Sequence, residues 1–105
     1  MPELDSSGSA PQFEKRATVS AGDYFNKLTG ERVERECRER LQSGCRELVL
    51  DFGKTEIVNS VGISILLGVI DSARGNGATV TLTGVNSPTI ELFNMLGVTK
   101  HVEIA

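Results

Sequence analysis

ELVLDFGKTEIVNSVGISILLGVI, residues 47–70, is the stretch whose reading decides the fold. Its opening, Glu47–Phe52, carries three consecutive aliphatics, Leu48, Val49 and Leu50, the pattern of a central strand covered on both faces. After a short polar loop, an apolar segment suits a helix from Ser60 to about Asn76, closed by Gly75 and Gly77. On a helical wheel Leu66, Val69, Ile70 and Ala73 fall together and can face a sheet, while Ser64, Gly68 and Asp71 form a thin polar strip opposite. Ile63 and Leu67 sit beside the sheet-facing set. They are expected either to offer an exposed apolar surface to a protein partner or to be covered by another helix of the same domain.

Upstream, Glu31–Leu41 repeats Val33, Cys37 and Leu41 every four residues, the narrow stripe of an amphipathic helix. Glu31 with Arg35, Glu34 with Arg38, and Glu36 with Arg40 stand acid-before-base at i, i+4, as on a solvated face. Gly44 supplies a stop. Phe13–Ser20 holds one strand or two short ones, and Gly22-Asp23 marks a turn before Tyr24 and Phe25. Downstream, Thr79–Thr83 alternates as a half-buried strand. Ser87 and Pro88 read as an N-cap and a first-turn proline. Ile90, Phe93 and Leu96 should be core-facing, Met95 should join Phe93 in the core, and Gly97 should end that helix. His101–Ile104 is a final strand. This order gives a single α/β domain with helices packed on a mixed central sheet, spanning 13–105 behind a flexible Ser/Gly/Pro-rich lead-in at 1–12.

The bulk properties narrow the function. At 105 residues, 39% hydrophobic and 24% charged, the chain can bury one core. A formal net charge of −3 argues against nucleic-acid binding, which needs a basic face. No apolar run is long enough to span a membrane, and the N-terminus has no signal-peptide pattern, so a cytoplasmic location is expected. Cys37 and Cys45 are expected as free buried thiols, and with one histidine and no CxxC spacing no metal or other cofactor is expected.

Catalysis is not expected either. Gly53-Lys54-Thr55 ends like a phosphate-binding loop, yet Leu48 stands where that pattern needs a glycine, so Lys54 and Thr55 read as exposed loop. Asp51 has no second carboxylate beside it in the sequence, and His101 has no nucleophile context. The residue of most interest is Ser60, at the start of the long apolar helix. It can act as the N-cap, or present its hydroxyl outward, where a phosphate of about −1.5 to −2 charges would meet a helix end carrying roughly +0.5.

Taken together, Leu48–Phe52, Asn59-Ser60-Val61-Gly62, Gly77–Thr83 and Leu96-Gly97-Val98 resemble, in order, the elements of a STAS domain, the fold of bacterial anti-sigma factor antagonists. The likeness covers roughly 17–105. In that family an Asp-Ser-Ser-Gly signature opens the apolar helix, and Ser60 matches the serine presented to a partner kinase. The resemblance implies a binding protein that holds an anti-sigma serine kinase of the histidine-kinase-like ATPase fold and so frees a sigma factor. Phosphorylation of Ser60 would end the binding, and a PP2C-type phosphatase would restore it. The partner-binding residues so implied are Asn26, Asn59, Ser60, Val61, Gly62, Ile63 and Leu67, with a homodimer left open. Asn59 and Val61 depart from the signature's Asp and second Ser. Asn26 takes the place of the Asp in the family's Gly-Glu-Leu-Asp turn, which here reads Gly22–Asn26. Loss of a carboxylate beside Ser60 removes repulsion from a phosphate and leaves a less acidic docking surface. The alternative is a STAS interaction module of a larger signalling assembly that phosphorylation does not switch.

Overall fold

The computed structural model describes residues 15–105. The expected lead-in at 1–12, with Phe13 and Glu14, lies outside the described residues. In chain order the elements are β1 (Arg16–Ser20), β2 (Tyr24–Phe25), α1 (Lys27–Gln42), β3 (Glu47–Asp51), β4 (Ile57–Val58), α2 (Ser60–Gly75), β5 (Thr79–Thr83), α3 (Ser87–Met95), a 3-10 turn (Val98–His101) and β6 (Glu103–Ile104).

The main sheet runs β1-β3-β5-β6, and β2 and β4 form a separate two-stranded pair. The architecture is α/β, with the helices packed on the sheet. Every pairing among the described strands is parallel. Each return between the first three sheet strands passes through a helix, which brings the next strand back in the same direction. Leu48, Leu50, Val80 and Leu82 face the principal core, all at 1% exposure or less. The intervening Val49 and Thr81 point to the other face and are buried too, at 5% and 8%. β5 is therefore more covered than its alternation suggested.

Helix α1 buries Gly30, Val33, Cys37 and Leu41. Of the expected pairs, Glu34–Arg38 closes at 3.8 Å, while Glu36 turns back to Arg32 at 3.0 Å. Helices α1 and α2 lie side by side, and Gly30 makes this close: a Cβ there would stand 3.1 Å from Ile65 Cδ1. Helix α2 buries Ile63, Leu66, Val69, Ile70 and Ala73. Of the two readings open for Ile63 and Leu67, cover within the domain is the one found: Ile63, at 4% exposure, is core and not the partner-facing residue the resemblance implied, and Leu67 is half-buried against that core.

Three phenylalanines tie the loops to this core. Phe25, Phe52 and Phe93 pack edge to face, with centroids 5.3 and 5.8 Å apart. Phe93 is the buried anchor of α3, whereas Ile90 is half-buried, Leu96 is 47% exposed and Met95 is 80% exposed. Met95, the last residue of α3, lies two positions beyond Phe93 and so on another face of the helix, in solvent, which corrects its expected core role. The last strand is also shorter than expected, because His101 belongs to the 3-10 turn. Among the described residues no helix is long and apolar enough to cross a membrane.

Cys37 and Cys45 are free and buried. Burial, reinforced by Glu36 and Cys45 and opposed by Arg40, pushes the Cys37 thiol up from 9.0 to about 12. In the native protein at pH 8 this thiol should resist iodoacetamide, reacting only on unfolding, as counted by intact mass. The unfolded thiol ionises first, so stability should fall as pH rises from about 9 towards 12. Urea titrations across that range should show the slope diminished in Cys37→Ala.

Candidate functional site

The site is built where the chain zips two loops together. Tyr24 pairs with Ile57, and Phe25 with Val58. Below this pair the Thr55 hydroxyl donates to the Gly22 carbonyl (2.6 Å), and the Glu56 N–H donates to the Asp23 carbonyl (2.8 Å). Thr55 is consequently buried rather than loop-exposed, whereas Lys54 is exposed as expected. Above the pair, the Asn59 N–H donates to the Phe25 carbonyl at 3.0 Å. Helix α2 starts from this anchored residue. Gly62 passes so close beneath β2 that a Cβ would stand 2.5 Å from the Phe25 carbonyl oxygen.

Asn59, not Ser60, is the N-cap. Its backbone is extended (φ −107, ψ 169), and its Oδ1 accepts the Gly62 N–H at 2.9 Å. The same displacement recurs at α3, where Asn86 Oδ1 accepts the Thr89 N–H at 2.9 Å and Ser87 becomes the first helical residue. Asn26 caps α1, accepting the Thr29 N–H at 3.1 Å while the Thr29 hydroxyl accepts the Asn26 N–H at 2.9 Å. Both helices that start at the site are therefore capped by a neutral amide, and neither has an acid in its first turn. Their partial positive ends face outward uncompensated.

Ser60 is released from capping by this shift. It is exposed, and its hydroxyl engages in no hydrogen bond with any described residue. Around it, Val61 is 47% exposed, and the paired Tyr24 and Ile57 are 51% and 55% exposed. In the first turn of α1, Leu28 is 76% exposed. Of the expected residues, the fold thus brings Asn26, Asn59, Ser60, Val61 and Gly62 to one end of the α1–α2 layer. Asn26 and Asn59 spend their Oδ1 atoms on caps, Gly62 is buried beneath β2, and Ile63 is not at the surface.

Tyr24, Leu28 and Ile57 were not foreseen as site residues. A signal existed for Leu28: a helix begun at Lys27 puts this leucine off the 30/33/37/41 stripe, on the polar side. The pairing of Tyr24 with Ile57 had none, because it joins segments 33 residues apart through two-residue strands.

Among the described residues no titratable side chain is hydrogen-bonded to the Ser60 hydroxyl. His101 lines a groove with Arg74, in the last turn of α2, whereas Ser60 is its first residue. The 16 residues between these ends span about 24 Å. The Asp51 carboxylate accepts the Gly53 N–H at 2.8 Å, within its own turn. No group of three or more His, Cys, Asp and Glu side chains that could hold a metal occurs among the described residues.

Comparison with known proteins agrees with this fold. Similar solved structures include a sulfate transporter family protein from Wolinella succinogenes (14% identity, 82% of this chain and 70% of that one, TM-score 0.73). The anti-sigma factor antagonist SpoIIAA in its unphosphorylated form is 10% identical over 88% of this chain and 80% of its own, with TM-score 0.71. The Bacillus cell fate determinant SpoIIAA in the phosphorylated form is 12% identical over 88% and 84%, with TM-score 0.69. Among curated proteins none matches the sequence. At these identities the structural likeness speaks for the fold alone. The STAS domain family model matches residues 7–105, nearly the whole chain, and with the three-helix parallel-sheet architecture this makes the protein a member of the STAS domain family.

Proposed function

We propose that this STAS domain acts by binding, as an anti-sigma factor antagonist whose docking surface surrounds Ser60. Its partner is a serine kinase of the histidine-kinase-like ATPase fold, which phosphorylates Ser60 and thereby ends the complex, and a PP2C-type phosphatase reverses this. The observation that carries the reading is the Ser60 hydroxyl: exposed, hydrogen-bonded to no described residue, and at the end of the α1–α2 layer where Val61, Tyr24, Ile57 and Leu28 are also exposed.

The physical switch follows from that setting. The exposed apolar side chains favour a partner by burying area from water, at about 25 cal/mol per Å². A phosphate beside them adds about −1.5 to −2 charges that a docked partner would have to desolvate. The fold itself tolerates the anion, because Ser60 opens a helix with no acid in its first turn. Asn59 deepens this tolerance. Its Oδ1 is held by Gly62, which leaves a neutral amide rather than a carboxylate next to the phosphate. The phosphorylated form is accordingly stabilised relative to that of a chain with Asp at this position. Val61, in place of a second serine, enlarges the apolar rim. Catalysis has no role in this reading.

The second reading, an interaction module of a larger assembly, draws on the likeness to a sulfate transporter family protein. In it Ser60 is an unmodified surface residue, and the apolar rim holds a permanent partner.

Incubated with its kinase and ATP, the protein should gain one phosphate by intact mass, and Ser60→Ala should gain none while keeping its circular dichroism. Partner binding, measured by calorimetry, should weaken at least about tenfold in Ser60→Asp and little in Ser60→Ala, a difference of about 1.4 kcal/mol. Undiminished binding by Ser60→Asp would favour the assembly module. In the phosphorylated protein, Asn59→Asp should raise the pKa of the phosphoserine, followed by phosphorus NMR, because a second anion opposes its final ionisation. For the framework itself, Gly62→Ala should cost about 1–3 kcal/mol in urea unfolding, since the added methyl meets the Phe25 backbone.

A further inference from the structure

At the far end of α2 lies a groove of about 320 Å³, lined by Arg74, Ala78, Thr79, Val80, Lys100, His101, Val102 and Glu103. Its origin is an unmade stretch of sheet. The β5–β6 ladder begins at Thr81–Glu103 and runs to Leu82–Ile104. The first two residues of β5, Thr79 and Val80, thus precede the ladder, and the chain before β6 is coiled as the 3-10 turn. Alternation along β5 is set by Thr79 N–H donating to Arg46 on one side and Ala105 N–H donating to Leu82 on the other. It turns the backbone of Val80 towards the β6 side, onto the groove.

The lining of this groove is predominantly basic. The chain carries a net charge of −3, yet the groove gathers Arg74, Lys100 and the only histidine against one acid, Glu103. Among the described residues neither Arg74 nor Lys100 has an ion-pair partner, and Glu103 has none. Arg74, Lys100 and His101 each lie in a last helical turn, where a cation complements the helix dipole. The dipole accounts for each cation separately. It does not account for two helix ends delivering their cations to one concavity, of a volume that suits a small ligand.

We propose that this groove binds a small ligand through a phosphate-type oxyanion, with the Arg74 guanidinium and the Lys100 ammonium as its principal contacts and His101 beside them. An arginine fork matches two oxygens of such a group, and a lysine adds a point charge. The site is independent of Ser60, from which the length of α2 separates it. It gives the domain a second input that does not require phosphorylation.

The probe is inorganic pyrophosphate, titrated into 15N-labelled protein at constant ionic strength. Saturable amide shifts are expected at Arg74, Lys100, His101 and Val102, with Ser60 and Val61 unmoved. The double variant Arg74→Ala, Lys100→Ala should weaken binding at least tenfold, Glu103→Gln should tighten it, and Lys27→Ala, at the Ser60 end, should leave it unchanged. All these positions are exposed, so the variants should keep the native spectrum elsewhere. Shifts that do not saturate, that scatter over Lys27 and the other surface cations, or that persist in the double variant would overturn the proposal. A second arm locates the source of the anion. Sedimentation with phosphatidylcholine vesicles containing phosphatidic acid, lost in the double variant, would assign a lipid headgroup. Pyrophosphate shifts without vesicle binding would assign a free phosphate compound.

Discussion

The carbonyl of Phe25 is the point on which the molecule turns. It accepts the Asn59 N–H at 3.0 Å, and Gly62 passes directly beneath it with no side chain to intervene. One backbone oxygen thus joins the end of β2 to the start of α2. The Phe25 ring is buried against Phe52, which packs in turn on Phe93, so the joint is anchored into the core. With the joint in place, the segments at 22–26 and 55–59 form one surface, and the N-termini of α1 and α2 emerge from it side by side. Without it, Tyr24 and Ile57 would lie on separate loops, each free to move from the other.

Asparagine at the starts of α1, α2 and α3 is the second constraint. Asn26, Asn59 and Asn86 each accept the N–H three residues on, through the same side-chain oxygen. A neutral cap satisfies the amide without compensating the helix dipole, as an aspartate would. At α3 this has little consequence beyond starting the helix. At α1 and α2 it leaves two partial positive ends at the surface that carries Ser60. The two positions at which the chain departs from its family's acids, 26 and 59, are thus the two where a carboxylate would most alter the local field.

Much of this was legible along the chain. Leu48, Val49 and Leu50 announced a covered central strand because three successive aliphatics can be buried only when both faces are packed. The stripe of Val33, Cys37 and Leu41 announced α1 for the opposite reason, since one face alone is apolar. The caps were harder to read. Asn59-Ser60 and Asn86-Ser87 each present two adjacent residues that cap well, and intrinsic preference does not choose between them. In both cases the asparagine takes the cap, at α2 because its own N–H is already fixed to Phe25. Met95 and Leu96 misled for a related reason: apolar character marks what can be buried, while α3 turns Phe93 to the core and leaves Met95 and Leu96 exposed.

Composition and periodicity by themselves determined an α/β domain, the central strand and the helical nature of 60–75, because those properties repeat over neighbouring residues. The order of motifs singled out Ser60. Only the tertiary structure decided that Ser60 stands free beside its cap, that Ile63 is core, and that Tyr24, Leu28, Ile57 and Val61 are exposed at the same end of the helical layer. Those facts depend on which backbone groups meet across long sequence separations. A carbonyl at position 25 looks like any other until the fold brings position 59 to it.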